Sequence, residues 1–198
     1  GDLPPSEGRI LLRGHDISRL SAAERSRTGI GRSYQRTNIF PQFTVLENCR
    51  LAAQSRNPRP WKVFTDAQKL MDTIERARAA IFEAGLAGRE DTIAGTMSHG
   101  EQRQLEIAMV LATDAEVLLL DEPLAGMGSE ESALMVELLG RLKQTRAILL
   151  VEHDMDAVFA VADTITVMVN GVVLESGPPE QIRNSADVQT AYLGDGHV

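Results

Sequence analysis

Residues 117–123, VLLLDEP, constrain the fold more than any other stretch of this chain. Four apolar residues run straight into Asp121 and Glu122, and Pro123 ends the run. A short, wholly apolar run of this kind predicts a strand of a parallel sheet, covered on both faces. Open α/β sheets bind ligands outside the carboxyl ends of their strands, which is where the two carboxylates fall. A strand-end Asp can hold Mg²⁺ directly or through water. A neighbouring Glu can polarise a water for attack on a phosphoryl group. Taken alone, the pair fits an acidic turn after a strand equally well.

The flanking pattern extends the α/β reading. Residues 9–13 and 30–34 predict short strands, with Gly14 turning the first and Ser21 capping a helix over 22–27. Thr44 followed by Glu47 is a capping box for a helix over 45–54. Two prolines, Asn57 and Trp61 make 55–65 a loop, and a helix over 66–84 stops at Gly85. After an irregular 86–97, Ser98 opens a helix to about 112, with apolar Leu105, Ile107, Ala108, Met109 and Leu111. Beyond the 116–120 strand come a helix over 130–143, with Leu134, Leu138 and Leu142 on one stripe, a strand over 147–151 and a helix over 154–161. Asn170-Gly171 sits between two strand-like runs, a hairpin signal. Pro178 starts a short helix, and 187–193 form another. Strands alternating with helices over 116–169 predict a three-layer α/β core.

The chain's 198 residues suffice for one sizeable core. With 28 acidic and 20 basic side chains the net charge is -8, a field that disfavours nucleic acid as a partner. Cys49 is the only cysteine, so there is no internal disulfide framework. No apolar run is long enough to span a bilayer, and GDLPPSEG carries no signal-like region, so a membrane role requires a partner.

Four segments then fall in order: Gln35 in GRSYQRTNIF, MSHGEQRQLEIAM at 97–109, VLLLDEP, and VEHD at 151–154. Together they resemble the nucleotide-binding subunit of ATP-binding-cassette (ABC) transporters. With TVLEN, DEPLAGMG and VEHDMDAVF, they resemble most the subunits of branched-chain amino-acid importers, with urea importers nearby. The resemblance implies a P-loop NTPase-like three-layer core with a helical signature lobe. Residues 1–36 would be the first β region up to the Gln35 loop, 37–113 the helical lobe, and 114–198 the remaining core, hairpin and terminal helices.

The resemblance also implies roles. Asp121 would act through Mg²⁺ and Glu122 would be the general base. Gln35 would reach Mg²⁺ and the attacking water, and His153 would contact the γ-phosphate. Ser98, His99, Gly100 and Glu101 would form the signature motif, contacting ATP held by a second subunit. The helix N-terminus at Ser98 suits an anion on physical grounds, although an ordinary Ser N-cap explains it too. His99 stands where the wider family has Gly, and Glu101 where it has Gln. Residues 124–128 match the loop that signals across the dimer. Cofactors would be ATP and Mg²⁺. Partners would be a second cassette and membrane permeases, with no direct contact to the transported substrate, at the inner face of the membrane. Arg25, Arg27, Arg32 and Arg36 read as a solvated basic face. Ile39, Phe40 and Phe43 beside them read either as a docking patch or as packing within the lobe.

No G-x-x-x-x-G-K-[ST] phosphate cradle is present, and none of Lys62, Lys69 and Lys143 follows a glycine. By resemblance the cradle and its strand would precede Gly1, so the expectation is an N-terminally truncated cassette that is inactive alone. The absent strand belongs mid-sheet, and its neighbours should expose apolar surface. The alternatives are a urea or other amide importer, a soluble ABC protein without a transport role, and a non-catalytic module.

Overall fold

The computed structural model describes residues 3, 5–34, 38–55 and 67–193, which form two compact units, residues 1–151 and 152–198. In the first unit, β1 (Leu11–Leu12) and β2 (His15–Asp16) pair antiparallel about Arg13 and Gly14. The expected five-residue strand is thus a short hairpin arm. Helix α1 (Ala22–Arg27) is capped by Ser21, as its sequence predicts, and Glu24 closes the capping box.

The parallel sheet has the order β3 (Ile30–Arg32), β4 (Val117–Asp121), β5 (Ala147–Val151), with Gly31 opposite Leu118 and Asp121 opposite Val151. The VLLLD run is the central strand, and Leu118 and Leu120 are buried. Gly31 is required by close approach, because a Cβ there would lie 2.3 Å from Val110 Cγ1 and 2.8 Å from Ala115 Cβ. β5 departs from the buried pattern of parallel strands. Leu149 is 61% and Val151 55% exposed, and β4 is its sole strand partner among the described residues.

Helices α2 (Val45–Gln54), α3 (Ala67–Glu83) and α4 (His99–Ala112) pack on one another as a helical lobe. Thr44 and Glu47 form the predicted capping box on α2. Asn48, fully buried, accepts from the Phe40 N–H at 2.8 Å and donates to the Thr44 carbonyl at 2.9 Å, pinning the preceding turn. Residues 86–97 contain a 3₁₀ turn (Ala94–Thr96) and one bridge, Thr44 to Ile93. The predicted 55–65 loop lies outside the described residues from 56 onward. Cys49 is buried in α2, and burial pushes its thiol up to about 12. At pH 7.5 a thiol reagent should therefore label native protein at least ~100-fold more slowly than unfolded protein. Equal rates would place Cys49 outside the core.

Helix α5 (Ser129–Leu142) buries Met135, Leu138, Leu139 and Leu142. The stripe read from sequence included Leu134, which is 56% exposed. A strict four-residue spacing drifts off a 3.6-residue helix, and the true face follows the i, i+3, i+4, i+7 pattern.

In the second unit, α6 (Met155–Val161) precedes β6 (Ile165–Val169) and β7 (Val172–Gly177), an antiparallel pair, and then α7 (Pro179–Asn184) and α8 (Ala186–Leu193). Asn170 (φ 51°) and Gly171 (φ 79°) supply the left-handed turn that the Asn-Gly pair predicts. Ile165, Val167, Ile182 and Val188 make its core, with Val158 and Phe159 against it. Among the described residues β6 pairs with β7 alone, as the Asn170-Gly171 hairpin signal predicts. A two-residue turn makes the local antiparallel partner the nearest one.

Candidate active site

The parallel sheet delivers Asp121 to the end of its central strand, with its side chain 38% exposed. Arg32 Nη2, from the neighbouring strand, lies 3.6 Å from Asp121 Oδ2, and the Asp121 N–H donates to Ser33 Oγ at 3.4 Å. A half-exposed ion pair of that length is weak, so the carboxylate can exchange it for another cation. At Glu122 the backbone turns into the left-handed region, φ 47°. For a residue with a side chain this costs about 1–2 kcal/mol. The Glu122 N–H donates to the Val151 carbonyl at 2.8 Å, which anchors this turn to the sheet. Successive tight turns follow through Ala125 and Met127, with Gly126 at φ 78°.

Helix α4 brings the second cluster. Ser98 is its N-cap: Ser98 Oγ accepts from the Glu101 N–H at 3.2 Å, and Glu101 Oε2 accepts from the Ser98 N–H at 3.0 Å. The ordinary-cap reading of Ser98 is therefore met, and Glu101 is committed to the cap and to an ion pair with Arg89. His99 Nε2 lies 3.2 Å from the Ala125 carbonyl, and its ring packs where a Cβ on Gly126 would fall at 3.3 Å. His99 thus ties the start of α4 to the loop that follows Asp121-Glu122. Glu131, from α5, accepts from the Ser98 hydroxyl at 2.9 Å and the Gly100 N–H at 3.3 Å. Its carboxyl is held below the usual range, chiefly by the Ser98 hydroxyl, with the Gly100 and Gly128 N–H groups and His99 adding to the effect.

The sequence reading passed over Arg103 and Glu106. Both are buried on α4, 3.0 Å apart. Arg103 Nη1 donates to the Tyr34 carbonyl at 2.8 Å, and Glu106 Oε1 accepts from the Tyr34 N–H at 3.0 Å. Both backbone polar groups of Tyr34 are thus held by one side-chain pair. The available signal was two opposite charges at i, i+3 inside an otherwise apolar helix face. Gln35 itself, the next residue, lies outside the described residues.

In the second unit, the His153 side chain is 73% exposed and its Nδ1 lies 3.7 Å from Glu152 Oε2. Asp154, not His153, caps α6, accepting from the Ala157 N–H at 3.1 Å. His153 is therefore neither a helix cap nor a packed side chain. The supposed basic face also divides. Arg25 donates to the carbonyls of Ile17 (3.1 Å) and Ser18 (2.6 Å), Arg32 pairs with Asp121, and Arg36 is outside the described residues. Phe40 and Phe43 stack with ring centroids 5.5 Å apart and stay 50% and 41% exposed. Among the described residues no three His, Cys, Asp or Glu side chains converge as a metal cage. A single half-exposed strand-end carboxylate such as Asp121 could hold Mg²⁺ with water and phosphate oxygens as the remaining ligands, the usual habit of that ion at phosphates.

A carboxylate pair thus ends the central strand, and the loop that follows it touches the capped N-terminus of α4, an arrangement compatible with a nucleotide-binding α/β core. The chain belongs to the ABC transporter family: residues 1–125 match the family model for ABC transporters, and residues 172–198 match that of the branched-chain amino acid ATP-binding cassette transporter. It is 36% identical to LivG, a high-affinity branched-chain amino acid transport ATP-binding protein of Escherichia coli, over 98% of this chain and 79% of that protein. BraF of Pseudomonas aeruginosa, described in the same words, is 34% identical over the same shares. LptB of Haemophilus influenzae, a lipopolysaccharide export ATP-binding protein, is 30% identical over 96% of this chain and 75% of its own. Among solved structures, the ADP conformation of an ATP-binding cassette of an ABC transporter superposes with a TM-score of 0.80 at 24% identity, covering 98% of this chain and 80% of that one. The α/β fold with its parallel sheet is therefore that of ABC ATPase cassettes.

Proposed function

We propose that this chain is the ATP-hydrolysing subunit of an importer for branched-chain amino acids, acting with a second cassette and membrane permeases at the cytoplasmic face. The observation that carries the reading is the His99–Ala125 contact, which couples the start of α4 to the loop leaving Asp121-Glu122. In this reading Glu122 takes the proton of the attacking water, and Asp121 would hold the Mg²⁺ ion. Mg²⁺, when bound, offsets charge on the transferring phosphoryl group. Gln35 and His153 keep the roles that the family resemblance implies for them, and the His153 side chain is exposed. Ser98, His99, Gly100 and Glu101 serve the nucleotide of the second subunit. Glu101 does so indirectly, by fixing the cap, and His99 by fixing the loop.

The branched-chain reading is supported by the match of residues 172–198 and by the descriptions of LivG and BraF. The resemblance to LptB shows that cassettes this similar serve other cargo, so substrate needs its own test. Disrupting the gene in its host should abolish high-affinity uptake of labelled leucine and isoleucine and leave urea uptake intact. Loss of urea uptake alone would move the assignment to urea importers. The exposed Phe40–Phe43 pair is the surface offered to a permease. Among the described residues no helix is long and apolar enough to cross a membrane, and this reading requires none. The 198 residues hold no phosphate cradle, and each charge-assisted hydrogen bond it would supply is worth about 1.5–3 kcal/mol. The isolated 198-residue chain should therefore show no MgATP turnover above background. Turnover that Glu122→Gln abolishes would refute this.

A further inference from the structure

The Glu131 carboxylate sits at the N-terminus of α4 as a bound anion would. Its Oε1 accepts from the Ser98 hydroxyl at 2.9 Å and from the Gly100 N–H at 3.3 Å. Gly100 admits it, since a Cβ there would lie 2.6 Å from Glu131 Cδ and 2.7 Å from Oε1. The contact joins two helices across 31 positions of sequence, and it is not needed for the cap. The Glu101 N–H and Ser98 N–H are already satisfied within α4, which leaves the Ser98 hydroxyl proton free to be donated outward.

From this geometry we infer that Glu131 is an internal stand-in for phosphate. It holds the Ser98 and Gly100 donors in the nucleotide-free chain and must leave before a phosphate group takes them. The inference rests on the reading of Ser98 and Gly100 as nucleotide contacts. The competition is direct: a carboxylate and a phosphate oxygen seek the same two donors, and their like charges repel at such range. Glu131 is in this sense a positioning residue. It keeps the hydroxyl rotamer and the first turn of α4 set for an oxyanion while excluding stray anions.

The test follows the Gly100 amide of the isotopically labelled 198-residue chain by NMR as inorganic phosphate is added. Glu131→Ala should lower the half-saturating phosphate concentration by about fivefold or more, and isosteric Glu131→Gln by less, because one charge leaves the immediate site. Glu130→Ala removes the same charge one residue away and should change the affinity little. The spectra themselves report whether each variant is folded. Equal affinity in wild type and Glu131→Ala, or an equal gain from Glu130→Ala, overturns the inference. MgATP turnover of the assembled transporter carrying Ser98→Ala separates the two levels. Unchanged turnover defeats the nucleotide-contact reading and this inference with it. Lost turnover with unchanged phosphate affinity defeats the role of Glu131 alone.

Discussion

Glu122→Gln in the assembled transporter should cut MgATP hydrolysis by about 10²–10⁴-fold, the usual contribution of a positioned general base. Nucleotide binding should survive, because Gln keeps the size and hydrogen-bonding reach of Glu and loses only the ability to accept the proton of water. The backbone makes a second, opposite prediction at the same residue. Glu122 stands at φ 47°, a conformation that glycine adopts freely. Glu122→Gly should therefore abolish turnover as well, yet leave the fold unharmed or raise its stability by up to about 1 kcal/mol. Activity and stability would then move in opposite directions, as expected where strain is kept for chemistry. Turnover of the Gln variant within about threefold of wild type would remove Glu122 from the role of base.

The other large effect lies in the helical lobe. Glu106→Ala should destabilise the first unit by about 3–5 kcal/mol, because it leaves the buried Arg103 guanidinium without its carboxylate and frees the Tyr34 N–H. Against a typical total of about 5–15 kcal/mol, that is enough to threaten folding at physiological temperature. Replacing both partners, Arg103→Met with Glu106→Leu, should cost far less than either single change, since no unpaired charge remains buried. Urea unfolding of the four proteins forms a double-mutant cycle. Additive losses would show that the pair is not coupled. The double variant also isolates the contact to Tyr34, the residue before Gln35. It should remain folded while hydrolysis by the assembled transporter falls.

Much of the secondary structure was legible because local chemistry encodes it. The capping pairs Ser21–Glu24, Thr44–Glu47 and Ser98–Glu101 each sit where the sequence places a helix start, and each bonds reciprocally. The Asn170-Gly171 turn is equally local. Errors arose where register or partner choice decides. Leu134 was assigned to the core because a spacing of four drifts slowly enough to pass for a stripe. The strand expected over 9–13 shrinks to Leu11–Leu12 paired with β2, because an apolar run says nothing about which segment is its hydrogen-bonding neighbour. The site shows the same division. Asp121, Glu122, Ser98 and Gly100 were singled out by motif, whereas Glu131 and the Arg103–Glu106 pair were not, because each makes its contacts with a residue about 30 or 70 positions away.

By itself the sequence determined the element types, the helix starts, the central apolar strand ending in Asp121-Glu122 and, through four ordered motifs, the family. These follow from interactions that span a few residues or from residue types that a given chemistry demands. Only the tertiary structure decided that Glu122 carries a left-handed backbone, that Glu131 accepts from the Ser98 hydroxyl and the Gly100 N–H, and that Tyr34 is gripped by a buried ion pair. Those features depend on packing. A missing Cβ or a buried charge acquires meaning only once another segment has been brought within 3–4 Å of it.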